Sequence, residues 1–166
     1  MKVPNKIEMQ KIREATIKGL QAGQVFVVSR TFNEEDILQF ARLSRDYNPI
    51  HFNDAFVKSK KLDRRICHGL LVAGMLTEIG GQIGWLASGM DLKFLKPVYI
   101  NDTINCEFTI IEITQRNRAK AEVVFKNQSE EIVLTAVLTG ILPSKQEREI
   151  LKSIEKNDGK ICGSKV

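Results

Sequence analysis

Residues 68–86, His-Gly-Leu-Leu-Val-Ala-Gly-Met-Leu-Thr-Glu-Ile-Gly-Gly-Gln-Ile-Gly-Trp-Leu, form the most apolar stretch of the chain. They hold Leu70, Leu71, Val72, Met75, Leu76, Ile79, Ile83 and Trp85, and five of the chain's 11 glycines, at positions 69, 74, 80, 81 and 84. Nineteen residues are just enough to cross a bilayer. Glu78 and Gln82 sit inside the run, however, and each would be costly in lipid. A helix that is apolar nearly all round is, in a soluble protein, a buried helix. The stretch is read as one long central helix, its glycines allowing close approach of the elements that wrap it.

Downstream, the pattern changes to a period of two. Met90, Leu92 and Phe94 alternate with Asp91 and Lys93; Ile104, Cys106, Phe108 and Ile110 alternate with Asn105, Glu107 and Thr109. Ala119, Ala121, Val123 and Phe125 form a third alternating set, and residues 132–142 a longer apolar strand, with Asn127-Gln128-Ser129-Glu130 as the turn between them. Short connections imply antiparallel pairing. Upstream, residues 24–29 read as a further strand. Asn33 is an N-cap, with Glu34, Glu35 and Asp36 in the first turn of a helix and Ile37, Phe40, Ala41 and Ser44 on its buried face. Pro49 biases Asn48 away from helical backbone, so this helix ends near Arg45. A central helix that needs covering, followed by four antiparallel strands, predicts an α+β hot-dog arrangement: one domain whose sheet curls around the helix. A single curled sheet leaves one layer uncovered, so pairing of two subunits is expected.

The remaining boundaries follow from composition. Residues 1–22 are an N-terminal arm or short helix, with Met9, Ile12, Thr16 and Leu20 at roughly helical spacing; residues 23–143 are the domain; residues 144–166 are a polar tail. In the tail, Ile150, Leu151 and Ile154 can make a brief helical contact, and disorder is expected beyond Lys156. The 166 residues suit one domain, and 43% hydrophobic with 27% charged residues excludes general disorder. Three widely spaced cysteines with no C-x-x-C point to neither a disulfide framework nor a zinc site. They suit a reducing, cytoplasmic setting, and no apolar segment of a secretory leader follows Met1-Lys2. The net charge is +5, but basic and acidic residues are interspersed and only two Tyr and one Trp are present, so nucleic acid and membrane partners are not expected. An anionic small molecule suits this charge equally well.

The chain has two histidines, His51 and His68. Asp46 and His51 lie five apart on one loop, with Asn48-Pro49 between them to stiffen it. Such a loop can hold a carboxylate and an imidazole around one water, which general acid–base chemistry requires. Asp-x-Asn-Pro is also simply a good turn. His68-Gly69 opens the apolar helix, where a glycine lets a ligand oxygen reach backbone N–H groups, as in an oxyanion hole; alternatively it only starts a crowded helix. Thr77, two turns on, either bonds its own helix or faces a ligand. Glu78 and Gln82 read as polar contacts with the sheet or a partner subunit. The run Lys58-Ser-Lys-Lys-Leu-Asp-Arg-Arg65 is either solvated surface or an anion site formed by Lys60, Lys61, Arg64 and Arg65. No ligand set for a metal is suggested.

Taken in order, D-Y-N-P-I-H at 46–51, C-H-G-L-L at 67–71, M-D-L-K-F-L-K-P-V at 90–98 and N-D-T at 101–103 resemble the MaoC-like (R)-specific enoyl-CoA hydratases. The helix opening F-N-E-E-D-I-L-Q-F-A at 32–41 agrees, and the similarity covers about residues 20–143. It implies a hot-dog homodimer with a substrate tunnel at the interface. It also implies Asp46 and His51 as the catalytic pair that holds and activates water, with the Gly69 amide polarising the thioester carbonyl. Asn48 and Thr77 would lie at the substrate site, Thr77 where relatives often have serine; Cys67 has no chemical role. No cofactor is required, because the coenzyme A or carrier-protein thioester is the substrate. The implied reaction is (R)-specific hydration of trans-2-enoyl-CoA to (R)-3-hydroxyacyl-CoA, reversible as dehydration. Its nearest rival is a 3-hydroxyacyl-carrier-protein dehydratase, with acyl carrier protein as partner. A hot-dog thioesterase, using Glu78, and a non-catalytic acyl-CoA-binding module are further rivals.

Overall fold

The computed structural model describes residues 6–157. Helix α1 (Lys6–Lys18) leads into strand β1 (Val25–Thr31), helix α2 (Glu34–Ser44), a single 3-10 turn (Pro49–His51) and helix α3 (Asp54–Ser59). Helices α4 (Gly69–Ala73) and α5 (Met75–Ile83) precede strands β2 (Leu86–Phe94), β3 (Thr103–Ile113), β4 (Arg118–Lys126) and β5 (Ile132–Ile141), and α6 (Lys145–Asn157) follows. The strands form one antiparallel sheet in the order β1-β3-β4-β5-β2. Disorder is expected beyond Lys156; Asn157 is the last residue of α6, and residues 158–166 lie outside the described residues.

The alternation in β3 and β4 sets the core. Ile104, Cys106, Phe108 and Ile110, with Ala119, Ala121, Val123 and Phe125, are all buried. They meet across the ladder as Cys106 opposite Phe125, Phe108 opposite Val123 and Ile110 opposite Ala121. Val133, Leu134, Ala136 and Leu138 of β5 continue the layer, and Met75, Leu76, Ile79 and Ile83 of α5 pack into it. Each such buried aliphatic or aromatic side chain contributes roughly 1.5–3 kcal/mol relative to exposure. Asn33 caps α2 through a reciprocal capping box with Asp36, and Arg45 ends the helix in the left-handed region.

Two expectations are corrected. The apolar stretch is not one long helix. At Gly74 the backbone N–H reaches both Leu70 O (2.9 Å) and Leu71 O (3.1 Å), and Thr77 N donates to Gly74 O at 2.9 Å. The bonds to Leu71 O and Gly74 O span three residues, and these i→i+3 bonds tighten the turn and divide the helix into α4 and α5. Gly84 then adopts φ 73°, which ends α5 and sends Leu86 into β2. Nor is the stretch buried all round, since Leu70 is 61% exposed. The second correction concerns β2: of the alternating set, Met90 and Phe94 are about half exposed and only Leu92 packs against the core.

Helix α1 covers part of α5. Ile12 and Thr16 are buried, and Arg13 donates to Gly81 O at 3.1 Å. Glu78 is held by Arg30 of β1 at 2.8 Å, a contact with the sheet as expected. The buried Asp102 carboxylate pins the 95–102 connection, accepting from Tyr99 N (2.8 Å), Arg64 (3.0 Å) and Gln128 (3.0 Å). No helix of the described residues is long and apolar enough to cross a membrane.

Candidate active site

The C-terminus of α2 delivers the chain into a loop that is hydrogen-bonded at almost every step. Asp46 N donates to Ser44 Oγ (3.2 Å), Asn48 N to Asp46 Oδ1 (3.1 Å), and Ile50 N to Asn48 Oδ1 (3.2 Å). Short side chains that cap the backbone two residues on are why Asp and Asn occupy these positions. Pro49 supplies the first residue of the 3-10 turn, and this turn carries His51 inward, where it is buried. The residues after α3 return as an extended segment, with Cys67 N donating to Val98 O at 2.7 Å. That segment places His68 and Gly69 beside the loop.

Asp46, His51, His68 and Gly69 line one cavity of about 630 Å³. Its apolar walls include Phe40, Val72, Phe94, Val98 and Leu134. A cavity of this volume and character is of the kind that encloses a small organic ligand. His51 Nε2 stands 4.0 Å from Asp46 Oδ2, too far for a direct hydrogen bond and a distance that one water bridges. His51 Nδ1 lies 2.8 Å from Ile66 O. A carbonyl only accepts, so Nδ1 carries the proton and Nε2 presents its lone pair toward Asp46. Burial holds the His51 pKa below its ordinary 6.5, with the charge of His68 acting the same way; the bond to Ile66 O and the Asp46 charge oppose the shift. The imidazole is therefore neutral at neutral pH and can accept a proton.

Gly69 is pressed by Phe94: a Cβ built there would lie 2.6 Å from the ring's Cε1. Cys67 also lines the cavity, but burial pushes its thiol up to about 12, so it remains protonated and poorly nucleophilic.

The other expected site residues stand elsewhere in the chain. Asn48 caps the turn and does not line the cavity. Thr77 is exposed, and its hydroxyl donates to Gly74 O at 2.6 Å, the internal bond that was the alternative to facing a ligand. Lys60, Lys61, Arg64 and Arg65 are outside the cavity. Arg64 pairs with Asp102, and Arg65 with Glu34 and Asp54, so the two arginines already have carboxylate partners. Arg65 instead borders a smaller cavity of about 250 Å³, shared with Glu34, Glu35 and the other side of His51.

His68 is the site residue that sequence reading left without a role. Its ring stacks on His51 with centroids 3.7 Å apart, and Nε2 lies 3.0 Å from Asp46 O. The signal available was that the chain's only other histidine stood directly before Gly69. Asp46, His51 and His68 each offer a ligand atom within 4.8 Å of the others and so could hold a metal ion. The two rings lie nearly parallel, however, so their in-plane lone pairs do not converge as tetrahedral ligation requires.

Comparison with known proteins places the chain in a family. The MaoC like domain family matches residues 17–132. The mitochondrial 3-hydroxyacyl-(acyl-carrier-protein) dehydratase of Arabidopsis thaliana is 31% identical over 134 residues, 75% of this chain and 79% of that protein. The (R)-specific enoyl-CoA hydratase of Aeromonas caviae is 33% identical over 101 residues, 58% of this chain and 73% of that protein. Among solved structures, an (R)-hydratase from A. caviae superposes with a TM-score of 0.72 at 27% identity, covering 76% of this chain and 99% of that one. The fold shared with it is the hot-dog fold. With the family match spanning more than two thirds of its length, the chain belongs to the MaoC-like family of hydratases and dehydratases.

Proposed function

We propose that this protein catalyses (R)-specific, reversible hydration of trans-2-enoyl-CoA thioesters. The observation that carries this reading is the 4.0 Å gap between Asp46 Oδ2 and His51 Nε2 at the wall of one cavity. A water held between them gives its proton to His51 Nε2 while its oxygen adds to C3 of the enoyl group. Asp46 orients that water. Electron density moves onto the thioester oxygen, which the Gly69 amide receives, and the proton on His51 returns to C2 to complete addition of H and OH. Preorganised donors of this kind act where charge develops, and a positioned base contributes ~10²–10⁴-fold. The same groups run dehydration in reverse.

A second reading has support in the same relatives: the substrate thioester is carried on acyl carrier protein, as the name of the Arabidopsis enzyme states for that protein. The thioesterase alternative loses support, because Glu78 is held by Arg30 and does not line the cavity. Two copies of the chain are proposed to pair along β2, an edge strand whose Leu86, Met90 and Phe94 are exposed and whose end borders the cavity. An uncovered apolar edge strand is a surface that proteins ordinarily pair or cover.

The test is hydration of crotonyl-CoA, followed by loss of 2-enoyl absorbance, with chiral analysis of the product and the carrier-protein thioester assayed alongside. Asp46→Asn and His51→Ala should each lower turnover by ~10²–10⁴-fold with folding unchanged. Near wild-type turnover in either variant would remove that residue from the mechanism.

A further inference from the structure

We propose that His68 is the positioning residue of this site: its Nε2–H tethers the Asp46 carbonyl while its ring seats His51, so one buried side chain sets the separation of carboxylate and imidazole. The proposal rests on the hydratase reading above.

The loop needs such a tether. Asp46 and Tyr47 are about half exposed, and the bonds that Asp46 N and Asn48 N make are to residues two positions away. Among the described residues, the hydrogen bond from His68 Nε2 to Asp46 O, 3.0 Å across 22 positions, is the one that joins residues 46–48 to a distant part of the chain. Because the acceptor is a carbonyl, Nε2 carries the proton.

His68 is itself well held. It is 2% exposed, stacked at 3.7 Å and 29° on His51, with Phe40 at 5.1 Å and Phe52 at 6.0 Å. Its Nδ1 is buried and without a partner. Packing alone would be served by phenylalanine, which fills the same place without stranding a polar atom. The donor to Asp46 O is what the imidazole adds. Loss of that donor leaves both dyad members present but lets the carboxylate end of the water site drift, and displacement by about 1 Å can cost ~100-fold in rate.

The experiment compares His68→Phe, which keeps the stacked ring and loses the donor, with His68→Gln, whose side-chain amide places an N–H near the position of Nε2. On crotonyl-CoA, kcat of His68→Phe should fall by about 10- to 100-fold with KM within about twofold, and His68→Gln should recover to within about fivefold of wild type. Amide exchange of residues 46–48 should accelerate in the phenylalanine variant and not in the glutamine variant. Nitrogen NMR of the wild-type rings should show His68 protonated at Nε2. Wild-type kcat in His68→Phe, equal losses in two variants that both melt like wild type, or a His68 proton on Nδ1 would each overturn the proposal. If the phenylalanine variant does not fold, the ring-nitrogen measurement still decides. A wild-type protein without hydratase activity would overturn the functional reading, while exchange and ring protonation would still decide the tether.

Discussion

Replacing Gly69 by alanine should separate catalysis from stability. The new Cβ would lie 2.6 Å from Cε1 and 3.0 Å from both Cδ1 and Cζ of Phe94. Carbon contacts are comfortable from about 3.5 Å, so the ring must retreat by roughly 1 Å. Phe94 is 54% exposed at the end of an edge strand, so it can turn toward solvent. An off-rotamer displacement of that kind costs about 0.5–1.5 kcal/mol. Against it, alanine in place of glycine within a helix favours folding by roughly 0.5–1 kcal/mol. The two nearly cancel, and at ~2–4 °C per kcal/mol the melting temperature should move by no more than about 4 °C. Activity should not be spared. The methyl group occupies the space over the amide proposed to receive the thioester oxygen, and loss of one such donor costs ~10²–10³-fold. The assay pairs a thermal melt with crotonyl-CoA hydration, and adds Gly69→Ala/Phe94→Ala, which relieves the clash without restoring turnover. Wild-type kcat in Gly69→Ala would refute the assigned role of the amide. A melting temperature lower by 10 °C or more would refute the estimate that the ring yields cheaply.

Further outcomes follow from the same structure. Because burial lowers the His51 pKa, the acidic limb of kcat/KM should lie below pH 6.5 and vanish in His51→Ala. Stability should follow the same group: the unfolded chain takes up the proton first as pH drops below 6.5, so folding free energy falls through that window and levels off below the native pKa. A limb above pH 6.5 would contradict both. Light scattering at micromolar concentration should report a dimer or a multiple of it; a stable, active monomer would end the β2 pairing model. Asp102→Ala strands the Tyr99 N–H and the Gln128 amide, and should cost about 2 kcal/mol, or ~4–8 °C in melting temperature. Lys60→Ala/Lys61→Ala should raise KM for the coenzyme A thioester at low salt only, since exposed charges are screened over ~8 Å at physiological ionic strength; unchanged KM at low salt would leave this run as solvated surface.

The sequence by itself determined what is local. A period of two named the inward residues of β3 and β4 one by one, because alternate side chains of a strand leave on opposite faces whatever lies beyond them. Asn33 and Asp36 announced the start of α2, because a cap is satisfied within four residues. The spacing from Asp46 to His51 was legible for the same reason, being one turn closed by its own side chains. Tertiary structure decided everything that depends on two distant segments meeting. Composition showed an apolar run, but the choice of which side is covered arises from packing against the sheet and α1. The apolar alternation of β2 looked like that of β3, yet its place at the sheet edge leaves it open. Arg64 and Arg65 looked free until Asp102, Glu34 and Asp54 were brought to them. The stacking of His68 on His51 joins positions 17 apart through the return of the chain after α3. No periodicity records such a contact, because its distance is set by how two segments pack and not by how either one repeats.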